Sequence, residues 1–161
     1  MFSSGPGCRS HSHTMFLSHF QCRDVSMSAD LCHPAGPACP DVWVGYRGKC
    51  YYFSEDQGDW ASSRNNCSAL NASLAGIDNQ QDMDFMVRHK SKSDHWIGLR
   101  RDPGQPWKWV NGTEFNNLFR IGGGGDCAYL NDQGGVSSLR CTSKRYWIWW
   151  HVRSWPITQW L

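Results

Sequence analysis

Cys39, Cys50, Cys67, Cys127 and Cys141 surround the apolar run Trp96-Ile97-Gly98-Leu99 in this chain of 161 residues. No other feature restricts the fold as strongly, because each cross-link that closes removes a large set of chain arrangements. Eight cysteines and ten tryptophans are a high content for an intracellular enzyme, and cystines persist mainly in oxidising compartments. The sequons at Asn66, Asn71 and Asn111 point the same way, since such tripeptides accept glycans only in secretory traffic. These features favour an extracellular setting. The length suits one domain with an extension. A net charge of +2 with dispersed Lys and Arg argues against nucleic acid as a partner.

No stretch approaches the ~20 apolar residues that span a bilayer. Met15-Phe16-Leu17-Ser18-His19-Phe20 is too short and too polar for the apolar region of a signal peptide. The disulfide-rich texture therefore lacks a visible export segment, which leads to the expectation of an atypical start or a fragment of a longer protein.

Residues 1–38 are rich in Ser, His, Gly and Pro and show no sustained period, so they read as a flexible leader. Cys8, Cys22, Cys32 and the nearby histidines match no common zinc-finger spacing, and a solvated tail is expected there. From Cys39 onward the texture changes. Val42-Trp43-Val44 and Cys50-Tyr51-Tyr52-Phe53, separated by Arg47-Gly48-Lys49, predict a hairpin that Cys39 and Cys50 are placed to staple. Asp59 caps a predicted helix through Trp60, Arg64, Cys67 and Leu70. A second helix is predicted to start at Asp78, with Gln81 as capping-box partner and Met83, Met86 and Val87 on one face. Short strands follow at His95 to Leu99, Trp107 to Val110, Cys127 to Leu130, Leu139 to Cys141 and Tyr146 to Ile148. Helices early and strands late indicate an α+β fold. Gly122-Gly123-Gly124-Gly125 lies in the long connection between Val110 and Cys127. No Lys-Ser/Thr follows it, so it reads as a flexible loop rather than a phosphate cradle.

Cys39-Pro40-Asp41-Val42-Trp43, Cys50-Tyr51-Tyr52-Phe53, Trp60, Cys67, Trp96-Ile97-Gly98-Leu99, Gln105-Pro106-Trp107-Lys108-Trp109, Asn111-Gly112-Thr113, Cys127-Ala128-Tyr129-Leu130-Asn131-Asp132 and Cys141 together resemble a C-type-lectin-like domain. The resemblance covers residues 39–148 and is nearest to the C-type lectin-related group that includes osteoclast inhibitory lectin. It implies two helices with short antiparallel sheets and a long irregular loop. It also implies bridges Cys39 to Cys50 and Cys127 to Cys141, each worth roughly 3 kcal/mol. The family's long bridge from Cys67 has no partner here, because Trp147-Ile148 is followed by Trp149. Cys67 is therefore expected to be an unpaired, buried thiol, with pairing to a leader cysteine as the alternative. By the same estimate the lost bridge removes roughly 4–5 kcal/mol of stability. Residues 149–161, with their many tryptophans, resemble no part of the family and read as an atypical tail.

Calcium needs six to eight oxygen ligands. In sugar-binding members these come from residues flanking a proline in the long loop and from an Asn-Asp pair on the following strand. Only the pair Asn131-Asp132 is present, and the loop supplies scattered Glu114, Asn116, Asn117 and Asp126. Asn131 to Gly135 is also a natural turn sequence. No metal or cofactor is expected. The resemblance implies a type II cell-surface protein whose extracellular domain is recognised, without calcium, by a lectin-like receptor on natural killer cells, with a homodimer as a compatible assembly. A calcium-dependent carbohydrate-binding lectin is the alternative. Candidate partner contacts are His89, Lys90, Lys92, Arg100, Arg101, Glu114, Asn116, Phe119 and Arg120, since arginine and aromatic residues often carry interface energy. No Gly-x-Ser-x-Gly elbow, phosphate loop or His-Glu-x-x-His helix occurs, so an enzyme is not expected.

Overall fold

A computed structural model describes residues 39–66 and 71–152. The predicted leader, Cys67 and residues 153–161 with Trp155 and Trp160 lie outside the described residues. Strands β1 (Val44–Tyr46) and β2 (Lys49–Phe53) pair antiparallel across Arg47-Gly48. Both turn residues have positive φ, at 47° and 80°, the backbone that a two-residue hairpin turn requires. Lys49 belongs to the strand, opposite Tyr46. The first strand starts later than expected, because a Trp43 N–H to Pro40 carbonyl bond turns the chain and leaves Val42 79% exposed. Cys39 and Cys50 are joined at an S–S distance of 2.04 Å.

Helix α1 (Trp60–Asn65) begins at Asp59, whose carboxylate accepts the Ser62 N–H at 2.7 Å. Helix α2 (Gln80–His89) is capped by Asn79 rather than Asp78. Asn79 Oδ1 accepts from the Asp82 N–H at 2.9 Å, while the Asp82 carboxylate reaches back to the Asp78 N–H at 3.3 Å. The reciprocal cap thus lies one residue beyond the expected Asp78–Gln81 pair, and Gln81 faces solvent. Met83 and Met86 are buried, and Val87 packs against the same core.

The remaining strands are β3 (Ser73–Leu74), β4 (His95–Arg100), β5 (Lys108–Trp109), β6 (Ile121–Gly123), β7 (Cys127–Leu130), β8 (Val136–Leu139) and β9 (Tyr146–Val152). The main sheet runs β1-β2-β9-β4-β7-β8-β6, with β3 on β9 and β5 on β4. It is mixed rather than antiparallel throughout, because β4 runs parallel to β9 and β6 parallel to β8. The strand expected at Leu139 to Cys141 ends instead at Leu139. Cys141 follows it in a turn, bridged to Cys127 at 2.01 Å, and its carbonyl accepts the Trp60 N–H.

The Gly122 to Gly125 run is not a free loop. Gly122 and Gly123 pair with Ser137 and Ser138, and a Cβ on Gly125 would stand 1.9 Å from the Leu139 backbone. Glycine is needed there because two backbones meet.

Strands β4 and β9 are buried on both faces. Ile97, Leu99 and Ile148 enter one cluster with Met86, Phe85 and Tyr51, while Trp96, Trp147 and Trp149 enter a second with Trp60 and Leu74. This period-2 alternation extends past Ile148, so Trp149 and Trp150 are strand residues and not tail. Trp149 is fully buried, and its indole N–H donates to the Ser63 carbonyl of α1 at 2.6 Å. A tryptophan therefore links the last strand to the first helix from the position where the family resemblance leads one to expect a cysteine.

The Trp96-Ile97-Gly98-Leu99 run owes its composition to these contacts. Trp96 Nε1 donates to the Gly58 carbonyl, and Trp60 Nε1 donates to the Ile97 carbonyl, each at 2.9 Å. Gly98 lies so close to β3 that a Cβ would approach the Leu74 carbonyl oxygen to 2.7 Å.

Candidate recognition surface

At its C-terminal end β4 delivers Arg100 and Arg101 to a surface groove of about 480 Å³. Its floor is Trp60 at the start of α1 and Trp109 on β5, and its rims carry Arg64, Arg100, Arg101, Lys108 and the single carboxylate Asp102. Arg100 lies over the Trp60 ring at 5.3 Å and pairs with Asp102 at 3.0 Å. Arg101 is more firmly held. It stacks over Trp107 at 4.7 Å, donates from Nε to Asp126 at 2.9 Å, and reaches the Gly125 carbonyl. Arg64 and Lys108 are exposed. Neither has an ion pair among the described residues. Arg64 lies 6.0 Å from the Trp60 ring centre.

Sequence reasoning named Arg100 and Arg101 but missed Arg64 and Lys108. Two local signals were available. Arg64 follows Trp60 by one helical turn, which puts both on one helix face. Lys108 sits between two tryptophans in a strand, where alternation sends it outward.

The other candidate contacts lie elsewhere. His89 ends α2, its ring tilted against Phe85 with centroids 4.2 Å apart and its Nδ1 2.9 Å from the Phe85 carbonyl. Lys90 is not a surface contact. It is 9% exposed, and its ammonium donates to the Ser91 and Ser93 carbonyls at 3.1 and 3.2 Å. Burial pulls its pKa below the ordinary lysine value, with Asp94 and Asp132 opposing. Lys92 borders a charge-mixed cleft of about 400 Å³ with Asp94, Asp132, Lys144 and Arg145.

In the long connection, Glu114 and Arg120 are exposed. Asn116 Oδ1 accepts from the Leu118 N–H at 3.1 Å, so it shapes its own loop. Phe119 serves the fold, packing 4.6 Å from Phe115 and 6.4 Å from Trp109. The candidate contacts thus form separate groups; the groove gathers four cations beside Asp102, while the cleft at Lys92 sets three cations against two carboxylates.

The Asn131-Asp132 pair closes a turn. Asn131 Oδ1 accepts the N–H groups of Gln133 and Gly135 at 3.0 and 2.9 Å, and its Nδ2 donates to Ser137 Oγ at 3.1 Å. Its oxygen therefore points at backbone donors, an arrangement that does not present it to a cation. Asp126, the acid nearest the end of the loop, is held by Arg101. Among the described residues no group of three or more His, Cys, Asp and Glu is placed to hold a metal.

The three sequon asparagines are exposed. Asn66 closes α1, with its N–H on the Ser62 carbonyl. Asn71 has φ 52°. Asn111 Oδ1 accepts from both the N–H and the hydroxyl of Thr113, and the adjacent Gly112 borders the basic groove. No helix among the described residues is long and apolar enough to cross a membrane.

Residues 56–148 match the family model of the Lectin C-type domain. The chain is 51% identical over 142 residues to C-type lectin domain family 2 member D of Homo sapiens, covering 83% of this chain and 74% of that protein. It is 45% identical to Early activation antigen CD69 of Homo sapiens, covering 69% of this chain and 55% of the relative, so it spans only part of these proteins. Among solved structures, a trimeric Kupffer cell C-type lectin receptor superposes at a TM-score of 0.60 with 30% identity, over 71% of this chain and 85% of that one. The carbohydrate-recognition domain of mouse Scavenger Receptor C-type Lectin superposes at 0.65 with 23% identity, over 73% of this chain and all of that one, and supports the fold alone.

Proposed function

Because the chain belongs to the C-type lectin domain family, we propose that it is a non-enzymatic cell-surface recognition domain, bound without calcium by a lectin-like receptor on natural killer cells. The observation that carries this reading is the engagement of Asn131. A side-chain oxygen that accepts two backbone N–H groups would have to break both bonds to join a calcium cage, and each bond contributes roughly 1 kcal/mol. Recognition then falls to side chains of the surface. The likeness to family 2 members of the C-type lectins supports an extracellular protein partner.

The test is a binding titration of the full chain against ectodomains of lectin-like natural-killer-cell receptors, in calcium and in chelator, beside a glycan array. Saturable receptor binding that is unchanged by chelator is the expected result. Glycan binding abolished by chelator, with no receptor binding, would establish the calcium-dependent lectin instead.

A further inference from the structure

Asn111 is the only asparagine of the chain that is followed by a glycine. The pairing matters because the backbone nitrogen of the next residue can close a five-membered ring on an asparagine side chain, and a glycine there has no Cβ to obstruct the approach. Asn111, Gly112 and Thr113 are exposed in the turn that follows β5. A Cβ placed on Gly112, whose φ is 90°, would meet no atom within 4 Å, so the peptide between Asn111 and Gly112 lies open to water.

The same turn prepares the Asn111 amide for attack. Thr113 donates to Asn111 Oδ1 twice, from its N–H at 3.0 Å and from its hydroxyl at 2.7 Å. Paired donors at such distances stabilise an oxyanion. Attack at Cγ makes that carbon tetrahedral and places the negative charge on Oδ1, within reach of both donors. Asn131 Oδ1 also accepts two N–H groups, but the residue after it is Asp132, whose side chain crowds the nucleophilic nitrogen. The Gly112 N–H itself donates to the Trp109 carbonyl at 2.9 Å. That bond must open before the ring closes, and an exposed turn opens at small cost.

We propose that Asn111 is a self-modification site, which in chains lacking a glycan there converts to aspartate or isoaspartate and so adds a carboxylate beside the basic groove. The Gly112 nitrogen gives up its proton to solvent base and attacks Cγ. The bond from Gly112 N to Cγ forms, the bond from Cγ to Nδ2 breaks, and ammonia leaves after taking up a proton. Water then opens the cyclic imide at either carbonyl. One water is consumed, one ammonia is released, and nothing is oxidised or reduced. Gly112 lines the groove, where Asp102 is the one carboxylate among four cations, so the new acid appears one residue from that lining and lowers the excess of positive charge. A glycan on Nδ2 takes the place of ammonia as leaving group and shields the amide, so glycosylation and conversion exclude each other at this residue. The inference does not depend on the receptor reading.

The test uses the full chain made in a host that adds no N-glycans, because enzymatic removal of a glycan would itself leave aspartate. Folded protein is incubated at neutral and at mildly alkaline pH, and peptide mapping by mass spectrometry follows aspartate and isoaspartate at each asparagine. Expected are conversion at Asn111 that quickens with pH, an intact Asn131 in the same sample, and a product that leaves a cation-exchange column earlier than the parent. Thr113→Val and Thr113→Ala, which lack the hydroxyl donor, should each slow conversion by about ten-fold. Thr113→Ser, which keeps it, should stay within about two-fold of the parent. In guanidinium, where the turn is lost, parent and variants should convert at equal rates. Melting curves identify the folded variants. Absence of conversion at Asn111, conversion at Asn131 as fast as at Asn111, an unchanged or faster rate in a folded variant without the hydroxyl, or a difference that persists in guanidinium would each overturn the proposal.

Discussion

Trp149→Ala tests whether an indole holds the last strand to the first helix. Trp149 is fully buried, with ring contacts to Tyr52 at 5.4 Å and Trp147 at 5.2 Å, and with its N–H on the Ser63 carbonyl at 2.6 Å. Truncating a buried tryptophan to alanine costs about 3–5 kcal/mol. The lost hydrogen bond adds roughly 1 kcal/mol. Against a total stability of about 5–15 kcal/mol, the variant would stand near the limit of folding. Trp149→Phe keeps most of the ring packing and removes the donor, so its loss should be about 1–2 kcal/mol. Urea unfolding followed by circular dichroism reads both. With a slope of ~1–3 kcal/mol per M, a loss of about 4 kcal/mol displaces the midpoint by more than about 1 M. A Trp149→Ala unfolding free energy within about 1 kcal/mol of the parent would show that β9 and α1 are held together by other contacts, and the reasoning would fail.

Gly98→Ala should destabilise by roughly 1–3 kcal/mol, because its Cβ must push against the Leu74 backbone; Gly124→Ala, with nothing within 4 Å, should be near neutral in the same thermal melt. His95 is 1% exposed between Phe53 and Tyr146, with Nδ1–H donating to the Ser93 carbonyl at 2.8 Å. Burial lowers its pKa below 6.5, with Lys90 adding to the effect and the Ser93 bond and Asp94 opposing it. Above pH ~6.5 the residue is neutral in both folded and unfolded chains. Below it the unfolded chain takes up the proton first, so stability falls with pH until the lowered value is passed; His95→Phe should flatten that part of the acid limb, and an unchanged slope of unfolding midpoint against pH would count against it. Asp59→Ala should cost about 1 kcal/mol at neutral pH in urea unfolding. The Ser62 backbone and side-chain bonds hold the Asp59 carboxyl below 3.8, so the cap contributes fully above that pH and is lost as pH falls through the lowered value.

Features whose cause is local could be read before any contact was known. Asp59 caps α1 with an N–H three residues ahead, and the Arg47-Gly48 hairpin turn closes between adjacent strands. Cys127–Leu130 and Trp96 to Leu99 are apolar because both faces of central strands are covered, a pattern that is written in consecutive residues. The shift of the α2 cap from Asp78 to Asn79 was a choice between neighbouring polar residues that hydrogen-bond geometry settles.

Other features depend on residues far away in the chain. Strand β6 exists only because β8 lies beside it, with Ile121 opposite Val136, and its glycines carry no side-chain signal of a strand. Lys90 reads as a surface cation until the carbonyls of Ser91 and Ser93 enclose it. Trp149 reads as tail until its alternation with Ile148 continues into the core.

By itself, then, the sequence determined the α+β class, the anchors of the two helices and the central strands, and the kinship with C-type lectin domains, because these rest on local periodicity, capping and ordered motifs. Only the tertiary structure decided that Trp149 bridges β9 to α1, and that Arg64 and Lys108 join Arg100 in one groove. Each of these joins groups through packing and hydrogen bonds, and long-range pairing of that kind leaves no periodic trace along the chain.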